Sequence, residues 1–251
     1  MMPENNELLE YDGTFDGFLS CVDVVFRHQQ RPQQILSSKA IAETLFSGRY
    51  IKTDHVLAAR IKKRLKQRLT TESWLFIEKG FATVTENREA FLIIAIEYGL
   101  HFGDNLSRHT YRKEIEDLAI GIRQLNSEIH HYQGFTRFNE VDGWLIAVIE
   151  PKHGVLPFLM PFFCQRFPNE RFIICEKKSQ MIGSYENSQL TFSDLHQLPE
   201  LSLSTTELAI QEQWRTFFQT ITIEERRNPT CQQTHLPKRF WKYLPEMTEN
   251  G

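Results

Sequence analysis

Close cysteine pairs are missing from this sequence. Its four cysteines, Cys21, Cys164, Cys175 and Cys231, stand far apart with no C-x-x-C among them. That excludes a zinc ribbon or an iron–sulfur cluster held by neighbouring ligands, and with it a three-cysteine radical centre in this chain. Long apolar runs are missing too: no stretch approaches the roughly 20 residues that a membrane span needs. The opening "MMPENNELLEYDG" is acidic and lacks a positive start followed by an apolar core, so no signal peptide is expected. A reduced, cytoplasmic protein with buried thiols is the expectation. Charge of one sign is scarce as well. A net charge of -3 over 251 residues gives no whole-molecule field for a polyanion, so any basic surface must be local. Familiar catalytic signatures are absent: no nucleotide P-loop and no G-x-G-x-x-G, no G-x-S-x-G elbow, and no H-x-E with P-C-x-x-C of a zinc deaminase.

What is present is ordinary globular usage, 41% hydrophobic and 24% charged, enough to bury a core. The stretch "YDGTFDGFL" carries two Asp-Gly pairs. It reads as a turn and helix cap, with Asp12 or Asp16 facing a cleft as the alternative. A short strand is expected over Glu7 to Asp12. A helix follows, capped by Thr14 or Asp16, with Phe18, Val22, Val25 and Phe26 on one face. Leu57, Ile61, Leu65 and Leu69 mark a second helix. Further helices are expected around 73–81, 87–100 and 105–131, the last with Ile115, Leu118, Ile122, Leu125 and Ile129 inward and Gly134 as its stop. Asp142-Gly143 then signals a hairpin. "RFIICEKKSQMIGSYENSQLTF" reads as a strand, a polar turn and a strand, and "VLPFLMPFFCQRFP" as a short helix. A helix over 205–222 precedes an irregular basic, aromatic tail, 223–251. The expected architecture is one α+β domain, 1–251, with a helical layer (8–131) packed on an antiparallel sheet (134–192) built mainly from two hairpins.

Three constellations can carry chemistry. The first is Glu128, His130, Arg137, Glu150 and His153. Two histidines and two carboxylates suit acid–base work or a divalent metal at His130, Glu150 and His153. A histidine at a helix C-terminus and an Arg–Glu pair across strands are equally ordinary structure. The second is the tail, where Arg226, Arg227, Lys238, Arg239 and Lys242 interleave with Phe240, Trp241 and Tyr243. Cations bind phosphate and rings stack on bases; alternatively, Trp241 and Leu244 pin the tail to the core. The third is the acid-free helix with Arg60, Lys62, Lys63, Arg64, Lys66 and Arg68, which suits a DNA backbone or plain solvation.

"YDGTFDGFL", "EIHHYQGFTRF", "IEPKHGVLPFLMPFFCQRFP" and "ERRNPTCQQTHLPKRFWKYL" together resemble an uncharacterised bacterial family labelled as DNA repair or DNA metabolism proteins. Its genes often sit beside one for a radical-SAM protein, and a related domain is fused to uracil-DNA glycosylase-like domains. The glycosylase motifs of those fused relatives are absent here. The resemblance covers the positions of His130, Phe135, Arg137, Glu150, Pro151 and His153, and of Arg226, Arg227, Pro237, Lys238, Trp241 and Leu244. It implies an accessory DNA-binding protein working with a radical-SAM partner in repair or modification. On that reading Arg226, Arg227, Lys238, Arg239 and Trp241, with Arg60, Lys63 and Arg64, contact nucleic acid. The alternatives are a metal-assisted nuclease or base-processing hydrolase at the His130/Glu150/His153 pocket, and a pure protein–protein module.

Overall fold

A computed structural model describes residues 7–38, 48–103, 105–195 and 203–247; the last four residues of the expected tail lie outside them. The chain divides into two compact units, Met1–Asn126 and Ser127–Gly251. The sequence reading expects one domain over 1–251, with its helical part ending at 131 and its sheet beginning at 134. Among the described residues no helix is long and apolar enough to cross a membrane.

The first unit contains β1 (Leu8–Tyr11), α1 (Phe15–His28), β2 (Gln34–Ser37), β3 (Arg49–Tyr50), α2 (His55–Arg68), α3 (Thr71–Ala82), α4 (Arg88–Phe102) and the beginning of α5 (Lys113–Phe135). Its strands form a parallel sheet in the order β2-β1-β3. Only β1 is foreseen from sequence. β2 and β3 are too short to show a period of two, and each is specified by an edge of β1 far away in the chain. The core is helical: Phe18, Leu19, Ile77, Leu92, Ile96 and Leu118 are fully buried.

The two Asp-Gly pairs build the entry to α1. The Asp12 carboxylate accepts the Thr14 N–H at 2.9 Å and its hydroxyl at 2.7 Å, and the Thr53 hydroxyl at 2.6 Å. Thr14 Oγ1 in turn accepts the Gly17 N–H at 3.0 Å, capping the helix. A Cβ on Gly17 would collide with the Asp12 carboxylate and lie 2.9 Å from Thr53 Oγ1. Asp16 instead meets His55 Nδ1 at 2.8 Å. Both carboxylates are thus engaged, Asp12 within the turn and with Thr53, Asp16 with His55.

The second unit continues α5 and adds β4 (Asn139–Val141), β5 (Trp144–Ile149), α6 (Leu156–Arg166), β6 (Phe172–Glu176), β7 (Met181–Glu186), β8 (Gln189–Asp194), α7 (Thr205–Ile221) and α8 (Pro229–His235). The five strands run β4-β5-β6-β7-β8. The fold class is α+β, as expected, and Asp142 and Gly143 take the positive φ of a tight hairpin turn (50° and 79°). Two details depart from the sequence reading. β5 and β6 pair in parallel, because α6 carries the chain back along the sheet before β6 begins. β8 is a third strand of the second antiparallel group. Its turn uses Asn187 and Ser188, both at positive φ (51° and 62°) without a glycine, so the usual signal is missing.

The tail is ordered rather than irregular. It forms a 3₁₀ turn (Glu224–Arg226), α8 and a second 3₁₀ stretch (Lys238–Tyr243). Phe240 and Leu244 are its buried anchors. Phe240 packs on Tyr132 and Phe135 of α5, with ring centroids 5.0 and 5.4 Å away.

Candidate nucleic-acid interface

In the second unit, the loop from Glu150 to Val155 joins β5 to α6, so it leaves the sheet at the C-terminal end of a parallel strand. Two buried carboxylates hold it. Glu128 on α5 accepts the Lys152 N–H at 3.0 and 3.1 Å and the His153 N–H at 2.9 Å. Its counter-charge is the Arg239 guanidinium, 3.2 Å away. Glu176, the last residue of β6, accepts the Leu156 N–H at the start of α6 at 3.2 Å. Burial, with the negative charge of Glu128 adding to it, pushes the Glu176 carboxyl up to about 7. Burial also holds the His153 imidazole below its ordinary value, against the pull of Glu128.

The structure thus gathers Glu128, His153, Glu176 and Arg239, and separates the rest of the expected pocket. His130 is two residues beyond Glu128 on α5, roughly 200° around the helix, and is exposed while Glu128 is buried. Arg137 lies between α5 and β4, not on a strand. It donates to the Gly134 carbonyl and to Glu246 Oε1, both at 3.0 Å. Glu150 is exposed just past β5, where Lys242 Nζ and the Tyr243 hydroxyl donate to it and hold its carboxyl below the usual range. Among the described residues no group of three or more His, Cys, Asp or Glu is arranged to hold a metal ion. Glu176 is the residue that sequence reasoning missed. A single acid closing the apolar run "FIIC" reads as the end of a strand.

The tail cations divide in the same way. Arg239 is spent on Glu128, and Lys242 on Glu150. Trp241 Nε1 donates to the Leu236 carbonyl at 2.9 Å, and Lys238 sits over the Trp241 ring at 5.9 Å. Arg226 and Arg227 are exposed and line a cleft of about 960 Å³ with Phe218, Ile223 and Met247. Glu246 also lines it, its carboxylate already bonded by Arg137 and by Trp214 Nε1 at 3.0 Å.

In the first unit, Asp54 caps α2 by accepting the Leu57 N–H at 2.9 Å. Ala58, Ile61 and Leu65 form the buried face, which leaves Arg60, Lys63 and Arg64 exposed. Steps of three and four residues set these cations side by side. Lys62 is drawn off to Glu78 at 3.9 Å, and Lys66 lies over the Trp74 ring at 5.4 Å. No acid occurs from His55 to Thr71, and no ion pair involves Arg60, Lys63 or Arg64 among the described residues. The result is a short, unneutralised basic stripe.

The chain belongs to the family described as a domain of unknown function, DUF4130, whose model matches residues 86–246. The matched span takes in the clamped loop, both of its carboxylates and the tail as far as Glu246; α2 precedes it. No curated protein matches the chain.

Proposed function

We propose that this protein binds DNA as an accessory to a radical-SAM partner in repair or modification. The observation that carries the DNA half is the α2 stripe. Three exposed cations that form no ion pair among the described residues have no evident use in folding, and their spacing suits successive phosphates of one backbone. The Arg226/Arg227 cleft supports it, since guanidinium groups beside apolar walls suit a phosphate and an adjoining sugar or base. The partner half rests on the family resemblance. It draws support from α7, where Ile210, Trp214, Phe217 and Ile221 recur at steps of four, three and four residues and remain 41–56% exposed. Contiguous exposed apolar surface marks an interaction site. The neighbouring Gln211, Gln213 and Thr220 are uncharged, which fits a protein face better than a phosphate backbone.

Two titrations test the reading. Fluorescence anisotropy with labelled DNA is expected to show binding that weakens at least tenfold in the Arg60→Ala/Lys63→Ala/Arg64→Ala variant. Co-purification with the radical-SAM protein is expected to be lost in Phe217→Glu, with DNA binding intact. A wild-type protein that binds no DNA refutes the first half; a wild type that captures no partner refutes the second.

A further inference from the structure

The first unit also exposes a cluster of rings that no step so far uses. Gly103, at φ 70°, ends α4, and Asn105 caps a 3₁₀ turn over Leu106–Arg108 by accepting the Ser107 N–H at 3.0 Å. The turn is pinned from below: Leu106 is fully buried, and its N–H donates to Ser73 Oγ at 3.0 Å. This places His109 back against the end of α4. Its ring stacks on Phe102, with centroids 5.4 Å apart and planes at 30°, and meets Tyr98 edge-on at 5.7 Å. Tyr98 lies 4.8 Å from Phe102, and His101 abuts Phe102 edge-on at 4.7 Å. Tyr111 extends the row. Its ring is 5.7 Å from His109, and its hydroxyl is 3.1 Å from His109 Nδ1.

Tyr98 packs against the core, but Phe102 and Tyr111 do not. Phe102 is 50% and Tyr111 70% exposed, although burying either would be favourable. They are nonetheless held: Tyr111 by its hydroxyl, Phe102 by three ring neighbours. Arg108, in the turn between Phe102 and Tyr111, is exposed, while Arg112 lies over the Tyr98 ring at 5.2 Å and pairs with Glu114 at 3.7 Å. Fixed, exposed aromatic faces beside a cation are a platform for unpaired bases, because every base has a face to stack and each nucleotide brings a phosphate. A duplex hides its base faces within its own stack, and would gain little from Phe102 or Tyr111.

We propose that Phe102 and Tyr111 stack the bases of single-stranded DNA, with Arg108, in the turn between them, receiving an adjoining phosphate. This deepens the DNA-binding reading and rests on it, since it states which strand form is held. Stacking of one base on one ring is worth roughly ten- to a hundredfold in affinity.

The test uses the full chain, a fluorescein-labelled oligothymidine and a labelled duplex of the same length, read by anisotropy. Wild-type protein is expected to prefer the single strand. Phe102→Ala/Tyr111→Ala is expected to weaken single-strand binding at least tenfold and to leave duplex binding within about twofold. Tyr111→Ala alone, at the more exposed position, supplies a second reading if circular dichroism shows the double variant to be unfolded. Unchanged single-strand affinity, or equal loss for both DNA forms, overturns the inference while the DNA-binding reading stands. A wild type that binds neither form overturns both.

Discussion

The buried carboxylate of Glu176 makes a prediction whose sign and size both follow from its surroundings. Its pKa is raised from 4.5 to about 7. The folded chain therefore holds this proton more tightly than the unfolded chain does. The associated stability is full below pH 4.5 and is lost as pH rises through about 7. At about 1.4 kcal/mol for each pH unit of that interval, the loss totals about 3 kcal/mol. Glu176→Gln is neutral throughout, and its carbonyl oxygen can still accept the Leu156 N–H. At acid pH the variant should match the wild type or fall below it by about 1 kcal/mol, the cost of placing an amide there. At pH 8 it should be the more stable protein. His131 and His153, whose pKa values burial lowers, titrate in both proteins and cancel in the difference. Urea unfolding followed by tryptophan fluorescence is a suitable assay, because three of the four tryptophans, Trp144, Trp214 and Trp241, lie in the second unit. A wild type–variant difference that stays constant from pH 4.5 to pH 8 would refute the argument.

Other perturbations test the supports around the interface. Glu128→Ala removes the acceptor for the Lys152 and His153 amides and leaves Arg239 without its partner, so a loss of about 2–3 kcal/mol is expected. Hydrogen exchange should quicken at those two amides, and wild-type protection there would contradict the clamp. Gly17→Ala forces the Asp12 carboxylate away from Thr14 and Thr53, at about 1–3 kcal/mol; an unchanged melting temperature would show that the turn yields freely. Phe240→Ala removes the buried anchor of the tail and should cost about 3–5 kcal/mol, checked by the urea midpoint, whereas Lys238→Ala should fall within about 0.5 kcal/mol of wild type.

Local signals in the sequence located much of this fold. Thr14 as the cap of α1, the apolar steps of α2, the Asp142-Gly143 turn and the helix after Ser204 all depend on neighbouring residues and were legible. Pairings across long separations were not. β2 and β3 exist because β1 has two edges, and the parallel contact of β5 with β6 depends on the path of α6. The sequence pattern extends the long helix back to about Asn105, but α5 begins at Lys113, because Leu106 is buried in a 3₁₀ turn that interrupts the apolar spacing. At the candidate site, the link of Glu128 to the loop at His153 was within reach of the motif. The partners of Arg137 and Glu150 were not, since both lie about a hundred residues away in the tail. The ring cluster was hidden for a similar reason: its members fall on either side of Gly103, in separate elements.

The central claim is that the α2 stripe engages a DNA backbone, and the salt dependence of affinity tests it most directly. Each duplex phosphate neutralised contributes about 0.9 to the slope of log K against log salt. If Arg60, Lys63 and Arg64 each meet one phosphate, their combined replacement by alanine should reduce that slope by about 2–3 while the protein remains folded. A variant that binds duplex DNA with the wild-type slope would contradict the claim.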